Sequence, residues 1–294
     1  MPLDHLPTPE GATDLKLTRR TLGGLMFTGY AAAALGANAE PIVTDEQGIV
    51  TDQIQFVGSS DNAYPPSLPA YVARPEGAGP FPVVIVVNEI FGLHAYIQDV
   101  CRRLAKQGYV AMAPGYFARA GDPAVLADFT QIQAIVRTAN AAQVSADTGA
   151  ALHWLDGQPW ADISRAGITG FCWGGTVVWM ACAEHDFKAG GAFYGRVVAP
   201  AQGAEEGRRW PVDIAGELRC PVLGFYGGQD QGIPLESVEQ MRAALTAAGR
   251  EDSEIIVYPD AGHGFHADYR PSFDAAAAED AWARLSALFA ECLA

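Results

Sequence analysis

Ile168-Thr169-Gly170-Phe171-Cys172-Trp173-Gly174-Gly175 is the stretch on which the reading of this 294-residue chain turns. A short apolar run leads into it and a helical pattern, Thr176–Ala183, follows. The segment therefore reads as strand, sharp turn and helix, with Cys172 at the apex. Glycines two before and two after the apex clear the space that a strained backbone needs, and the side chain is left exposed above the sheet. A thiol at a helix N-terminus also meets free backbone N–H groups and the positive end of the helix dipole, which favour the thiolate. The competing reading makes Cys172 a small buried hydrophobe beside glycines used for close packing, the usual fate of a single cysteine. The flanking Gly170, Gly174 and Gly175 after a strand favour the nucleophile.

Outward from this elbow, short β-branched runs bounded by Gly or Pro alternate with longer helical patterns, as in β-α-β units that build a parallel sheet. The strands read are Val83–Val87, Tyr109–Ala113, Ala166–Thr169, Ala189–Phe193, Val222–Tyr226 and Glu254–Tyr258. Helices are expected near Ala95–Gln107, Val125–Ala139, Ser145–Leu155, Thr176–Ala183, Leu235–Ala248 and Phe273–Leu293, with Gly108, Gly157 and Gly249 at C-cap positions. Gln53–Val57 and Leu68–Val72 alternate around a proline-containing turn and read as an antiparallel opening pair. Val197–Ile214 reads as an irregular excursion between strands, because the alternation resumes after it.

The chain carries 19 basic and 34 acidic side chains, a net charge of −15, which argues against nucleic acid or an anionic membrane as partner. Apolar residues make up 49% and charged ones 18%, as in a globular chain with a large core. Five widely spaced cysteines without a C-x-x-C pair argue against a disulfide scaffold and a Cys-ligated zinc site. Thr18-Arg19-Arg20-Thr21-Leu22 leads into an apolar stretch ending at Gly36, and Ala37-Asn38-Ala39 offers a small-x-small cleavage pattern. Residues 1–39 are read as a twin-arginine signal, which implies an exported, periplasmic protein; residues 40–294 then form one domain. The alternative is a Gly/Ala-rich N-terminal helix on a cytoplasmic protein. The apolar stretch is shorter than the roughly 20 residues of a membrane span, so no membrane partner is expected after signal removal.

In a sheet of this kind a base and its orienting acid are expected beyond the ends of later strands, acid first. Val222–Tyr226 runs into Gly227-Gly228-Gln229-Asp230, and Glu254–Tyr258 into Ala261-Gly262-His263. Asp230 alone is an ordinary turn former, and His263 alone a loop histidine. Their order after Cys172 favours general base and orienting acid. His266, three residues after His263, raises a metal pair as the weaker alternative, because the chain supplies too few further ligands nearby. No metal is expected, and no cofactor: the glycines form neither a phosphate loop nor a full dinucleotide fingerprint.

With these residues in view, the chain resembles the dienelactone hydrolase family, the cysteine-nucleophile branch of the α/β-hydrolases, over roughly residues 69–293. The resemblance is carried by Asn88-Glu89-Ile90-Phe91-Gly92, Ala113-Pro114-Gly115-Tyr116-Phe117-Ala118-Arg119, Gly170–Gly175, Gly227–Asp230 and Ala261–Phe265. It implies an α/β-hydrolase fold, with a mainly parallel central sheet, helices on both faces and short antiparallel strands at the start. It further implies a Cys172-His263-Asp230 triad, with Glu89 as a fourth member that accepts a hydrogen bond from the resting thiol and later takes its proton. The backbone N–H groups of Ile90 and Trp173 would form the oxyanion hole. The implied activity is the opening of an enol lactone that bears a carboxylate, through a covalent thioester, with a small-molecule ester or lactone as substrate. Arg119 matches the family's Tyr-Ala-Arg position, with Phe117 in place of the tyrosine, and is the expected carboxylate clamp. Where the family has a second arginine, four residues after the catalytic histidine, this chain has Ala267; Arg270 and Arg196 are the candidate replacements. A general carboxylesterase or thioesterase with the same triad is the alternative, and a non-catalytic redox sensor using Cys172 a weaker one.

Overall fold

Val83 to Val87 are five consecutive side chains with no exposed surface, so this strand must lie at the centre of a sheet covered on both faces. Burial of each contributes about 1.5–3 kcal/mol relative to exposure. The pleat sends Val83, Ile85 and Val87 into one core and Val84 and Val86 into the other. The structure is a computed structural model and describes residues 41–59, 66–200 and 207–294. The expected signal, residues 1–39, lies outside the described residues.

The strands are β1 (Ile49–Val57), β2 (Ser67–Pro75), β3 (Phe81–Val87), β4 (Val110–Pro114), β5 (Ala161–Phe171), β6 (Ala189–Phe193), β7 (Val222–Gly227) and β8 (Glu254–Tyr258). The helices are α1 (Ala95–Lys106), α2 (Phe129–Val136), α3 (Ala141–Asp156), α4 (Trp173–Glu184), α5 (Leu235–Ala247) and α6 (Ala275–Cys292). All eight strands form one sheet in the order β1-β2-β4-β3-β5-β6-β7-β8. β1 and β2 are antiparallel, β2 is antiparallel to β4, and β3 onward are parallel. Apolar faces of α1 and α6 fill the core on one side, and those of α3, α4 and α5 the core on the other. This is the expected α/β-hydrolase architecture, with its antiparallel opening pair. The chain leaves β3 for β4 on one side and returns to β5 on the other, so the carboxyl ends of β3 and β5 flank the switch point where such sheets open a crevice.

Several expected bounds shift, each for a capping reason. The single helix Val125–Ala139 is a short 3-10 turn, Pro123–Val125, followed by α2. Asp122 caps the first by accepting from Ala124 N, and Asp128 caps the second by accepting from Thr130 N at 2.7 Å; Leu126 between them is extended. α3 begins at Ala141 rather than Ser145, because Asn140 accepts from Gln143 N. α4 begins directly after Cys172 rather than at Thr176. Gly108 and Gly249 take the left-handed conformation past their helices, with φ 100° and 68°, whereas Gly157 ends α3 at φ −74°. Within the expected excursion Val197–Ile214 a 3-10 helix, Pro211–Glu217, begins before β7.

The elbow packs backbone on backbone. A Cβ on Gly174 would lie 2.4 Å from the Val87 carbonyl oxygen, and one on Gly175 2.5 Å from that of Phe193. Gly262, in the loop that carries His263, has open space around its Cβ position and a φ outside the left-handed region. Gly174→Ala is therefore expected to cost about 1–3 kcal/mol and several degrees of Tm, whereas Gly262→Ala leaves Tm nearly unchanged. Thermal melts of the two variants check this; equal melting temperatures would contradict the close approach.

Candidate active site

Cys172 sits at φ 55°, ψ −115°, a backbone that a side-chain-bearing residue holds only under constraint, at a cost of order 1–3 kcal/mol. The constraint is visible on both sides. Its N–H donates to the Phe193 carbonyl of β6 at 3.0 Å, and its carbonyl accepts from Gly175 N at 3.0 Å as α4 begins. Below it, Phe171, Phe193 and Phe225 from the ends of β5, β6 and β7 pack ring to ring, with centroids 4.7 and 4.6 Å apart. Strands ending in register thus bring the loops that follow them to one rim.

Three residues expected from sequence meet there. His263 Nε2 lies 3.2 Å from Cys172 Sγ, and His263 Nδ1 lies 2.7 Å from Asp230 Oδ2. The other oxygen of Asp230 accepts the N–H groups of Gly232 at 2.7 Å and Ile233 at 3.0 Å, so the carboxylate is fixed by its own turn. Burial works against a charged imidazole, but the hydrogen bonds to Asp230 and Cys172 outweigh it and raise the His263 pKa to about 10. The arrangement favours a proton on His263, with Nε2 facing the sulfur. Tyr194, the other residue besides Cys172 with side chain and positive φ among the described residues, at 38°, lays its ring 5.2 Å from that of His263.

Glu89 opens the turn after β3, its carbonyl accepting from Gly92 N, and is completely buried. Burial would raise its pKa, yet His94, Arg270 and Tyr269 together hold it below the usual carboxylate range. Tyr269 Oη donates to Oε2 at 2.7 Å, His94 Nε2 lies 3.3 Å from the same oxygen, and Arg270 Nη1 lies 3.6 Å from Oε1. This corrects one expectation. No hydrogen bond joins Glu89 to Cys172, because the thiol faces His263 while the carboxylate is drawn to the cation and donors that offset its burial. Ile90 follows Glu89, and Trp173 is the first residue of α4; the close approach of Gly174 to Val87 sets these two segments against one another.

Arg119 requires a second correction. Its guanidinium is paired two-point with Asp147 of α3, with Nη2 at 2.8 Å from Oδ1, and the same Nη2 donates to the Ser59 carbonyl at 2.6 Å. Asp147 also accepts from the N–H and hydroxyl of Ser59, so Arg119 ties the loop after β1 to α3 instead of presenting a clamp. Arg270 is the arginine that reaches the site: besides Glu89 it lies over the Phe91 ring, 5.7 Å from the centroid. Arg196 donates to the Gly232 carbonyl at 3.1 Å and so braces the turn that carries Asp230. Ala267 is buried. His94, Tyr269 and Tyr194 carried no expectation: each is a lone polar or aromatic residue in a loop or at a helix start, and spacing alone does not mark them.

Among the described residues no group of His, Cys, Asp and Glu could hold a metal ion. His266 is engaged elsewhere, with Nδ1 2.6 Å from Tyr96 Oη and its ring among Phe171, Phe193 and Trp282. The remaining cysteines are unpaired, with Cys101, Cys182 and Cys220 buried.

A family model described as the dienelactone hydrolase family matches residues 68–293. A relative from Methylorubrum extorquens is 44% identical over 282 residues, covering 95% of this chain and 94% of its own length. One from Escherichia coli K12 is 46% identical over 261 residues, covering 88% and 93%. Both carry the provisional name carboxymethylenebutenolidase. A crystal structure of a provisionally named dienelactone hydrolase from Klebsiella pneumoniae matches with a TM-score of 0.77 at 43% identity, over 83% of this chain and 99% of that one.

His266 makes the acid side of stability testable. Burial lowers its pKa to about 3, and Arg103 adds to the effect. The folded chain then leaves His266 neutral where the unfolded chain binds a proton, so its contribution is complete above about pH 6.5 and is lost as pH falls toward 3. His266→Gln should flatten the pH dependence of unfolding free energy between pH 6.5 and 5 by up to about 1.4 kcal/mol per pH unit. Urea unfolding across that range reads the slope; an unchanged slope would contradict the assignment.

Proposed function

The chain belongs to the dienelactone hydrolase family and is a hydrolase of ester or lactone bonds, and from its geometry we propose that it works through a covalent thioester on Cys172, opening an enol lactone that bears a carboxylate. The observation that carries this reading is the line from Asp230 through His263 to Cys172, at 2.7 and 3.2 Å, with Arg270 at the same rim. His263 Nε2, 3.2 Å from the sulfur, holds the proton that the thiol gives up, and the sulfur attacks the lactone carbonyl carbon. The charge that develops on the carbonyl oxygen is received by the N–H groups of Trp173 and Ile90. The ring C–O bond then breaks, and the released enolate takes the proton from His263 Nε2 to give its keto form, which leaves His263 a free base. Water, deprotonated by His263, attacks the thioester carbon; the C–S bond breaks and the sulfur recovers its proton. Asp230 keeps Nδ1 as the donor throughout and stabilises the imidazolium.

Arg270 supports the choice of a carboxylate-bearing substrate. It is a cation at the site that its neighbours do not fully use, in a protein whose net charge of −15 gives anions no general attraction. The second reading, a general carboxylesterase or thioesterase, is favoured by the commitment of Arg119 to Asp147, which leaves a single arginine for recognition. Export of the folded chain through the twin-arginine signal in residues 1–39 belongs to the same proposal; a fractionation blot with only full-length cytoplasmic protein would remove it.

The decisive assay compares a carboxylate-bearing enol lactone with a neutral aryl ester, before and after iodoacetamide. Alkylation and Cys172→Ala are expected to abolish both activities. Arg270→Gln should raise KM for the lactone by about tenfold or more, the loss of one charge-assisted contact, with little effect on the neutral ester. Arg119→Ala should not discriminate between the two. Hydrolysis that survives alkylation would overturn the thioester route, and a preference for the neutral ester that ignores Arg270 would move the assignment to the general esterase.

A further inference from the structure

The two oxygens of Glu89 have different surroundings. Oε2 receives Tyr269 Oη at 2.7 Å and faces His94 Nε2 at 3.3 Å, whereas Oε1 has no hydrogen-bond partner and meets Arg270 Nη1 only at 3.6 Å. A guanidinium beside a carboxylate ordinarily closes into a two-point pair with N–H···O distances of about 2.7–2.9 Å, which needs both oxygens on the guanidinium side. Here Glu89 is completely buried, so solvent reaches the pair only from the Arg270 side and screens the attraction weakly, and yet the pair stays open.

The donors on Oε2 cannot follow the carboxylate toward Arg270. The Tyr269 ring is wedged against His94 and Tyr96, with centroids 5.3 and 5.4 Å away, and the His94 ring stacks on Tyr96 at 5.9 Å. Arg270 is held from its other side: a Cβ on Gly264, at φ 77°, would lie 2.8 Å from Arg270 Nη1, so the glycine leaves room for the guanidinium. Its side chain keeps 25% of its surface exposed.

We propose that Tyr269 and His94 are positioning residues for substrate recognition: by occupying one oxygen of Glu89 they keep Glu89 and Arg270 from closing on each other, and so leave the guanidinium open to a substrate carboxylate. Glu89 then acts as a nearby counter-charge that keeps Arg270 in place without using up its donors. The inference rests on the proposed recognition of a carboxylate by Arg270.

Tyr269→Phe is the test, because it retains the ring that packs on His94 and Tyr96 and removes only the hydroxyl. KM for the carboxylate-bearing enol lactone is expected to rise about tenfold with kcat changed less than about twofold, while kcat/KM for the neutral aryl ester changes by less than about twofold. His94→Gln, which keeps a donor at that place, should hold the lactone KM within about threefold of the parent value. In a Glu89→Gln background Tyr269→Phe should add nothing, since the hydroxyl acts through the carboxylate. Equal losses on both substrates, or an undiminished Tyr269→Phe effect in the Glu89→Gln background, would overturn the inference. The failures separate: if Arg270→Gln leaves the lactone KM unchanged, carboxylate recognition itself falls, whereas an Arg270-dependent enzyme indifferent to Tyr269→Phe loses only the positioning role.

Discussion

The approach of backbone to backbone around Gly170, Gly174 and Gly175 is the constraint from which the rest of the site follows. A side chain at any of the three would come within 3.0 Å of main-chain atoms of its neighbours, so β3, β5, β6 and the start of α4 meet there without intervening side chains. That contact turns the chain at Cys172 through a left-handed φ, lifts the sulfur above the sheet, and sets the turn after β3 beside the first turn of the helix. Glu89 and Ile90 reach the rim by the same contact. The strained residue is affordable because the cores on both faces, built on five fully buried side chains of β3, over-determine the backbone at this point.

Charge burial is the second organising problem. An ionised carboxylate with no exposed surface, as at Glu89, is stable only where donors and a cation offset the lost hydration. The protein offers two such solutions, and they differ in kind. Asp147 uses both oxygens on Arg119 and Ser59, a closed pair that braces the loop after β1. Glu89 divides its oxygens between Tyr269 and His94 on one side and a distant Arg270 on the other. A closed pair is structure; an open one leaves donors for something else.

How far the sequence was legible follows from which interactions are local. Buried parallel strands read as β-branched runs because both faces are covered, so Val83–Val87 and Val222–Tyr226 were placed nearly to the residue. The elbow was legible because its glycines are dictated by sterics within eight residues. Helix bounds slipped where a single side chain decides them, as Asp128 and Asn140 do, since either residue is equally at home in a turn. Site residues were found where each follows a strand end, as Cys172, Asp230 and His263 do. Arg119 was misread for the opposite reason: its position after β4 is visible, but its partner Asp147 lies on α3, and nothing in the intervening residues announces the pairing. Tyr269 and His94 come together only once α1 and the loop before α6 pack on the same face of the sheet, an event with no local trace.

The displacement of the cation has a consequence for the proposed recognition of a carboxylate. With Arg119 locked in a closed pair and Ala267 buried where a second arginine is expected, the arginine left beside Glu89 is Arg270, three residues beyond Ala267. Net charge supplies none of it, since the chain stands at −15. A single guanidinium can bind a carboxylate well only if its donors are unspent, and a buried glutamate beside it is the group best able to spend them. On that proposal, selectivity for an acidic substrate depends less on adding positive charge than on restraining a negative one, and the rings of His94 and Tyr96 packed against Tyr269 fix the hydroxyl that restrains Glu89.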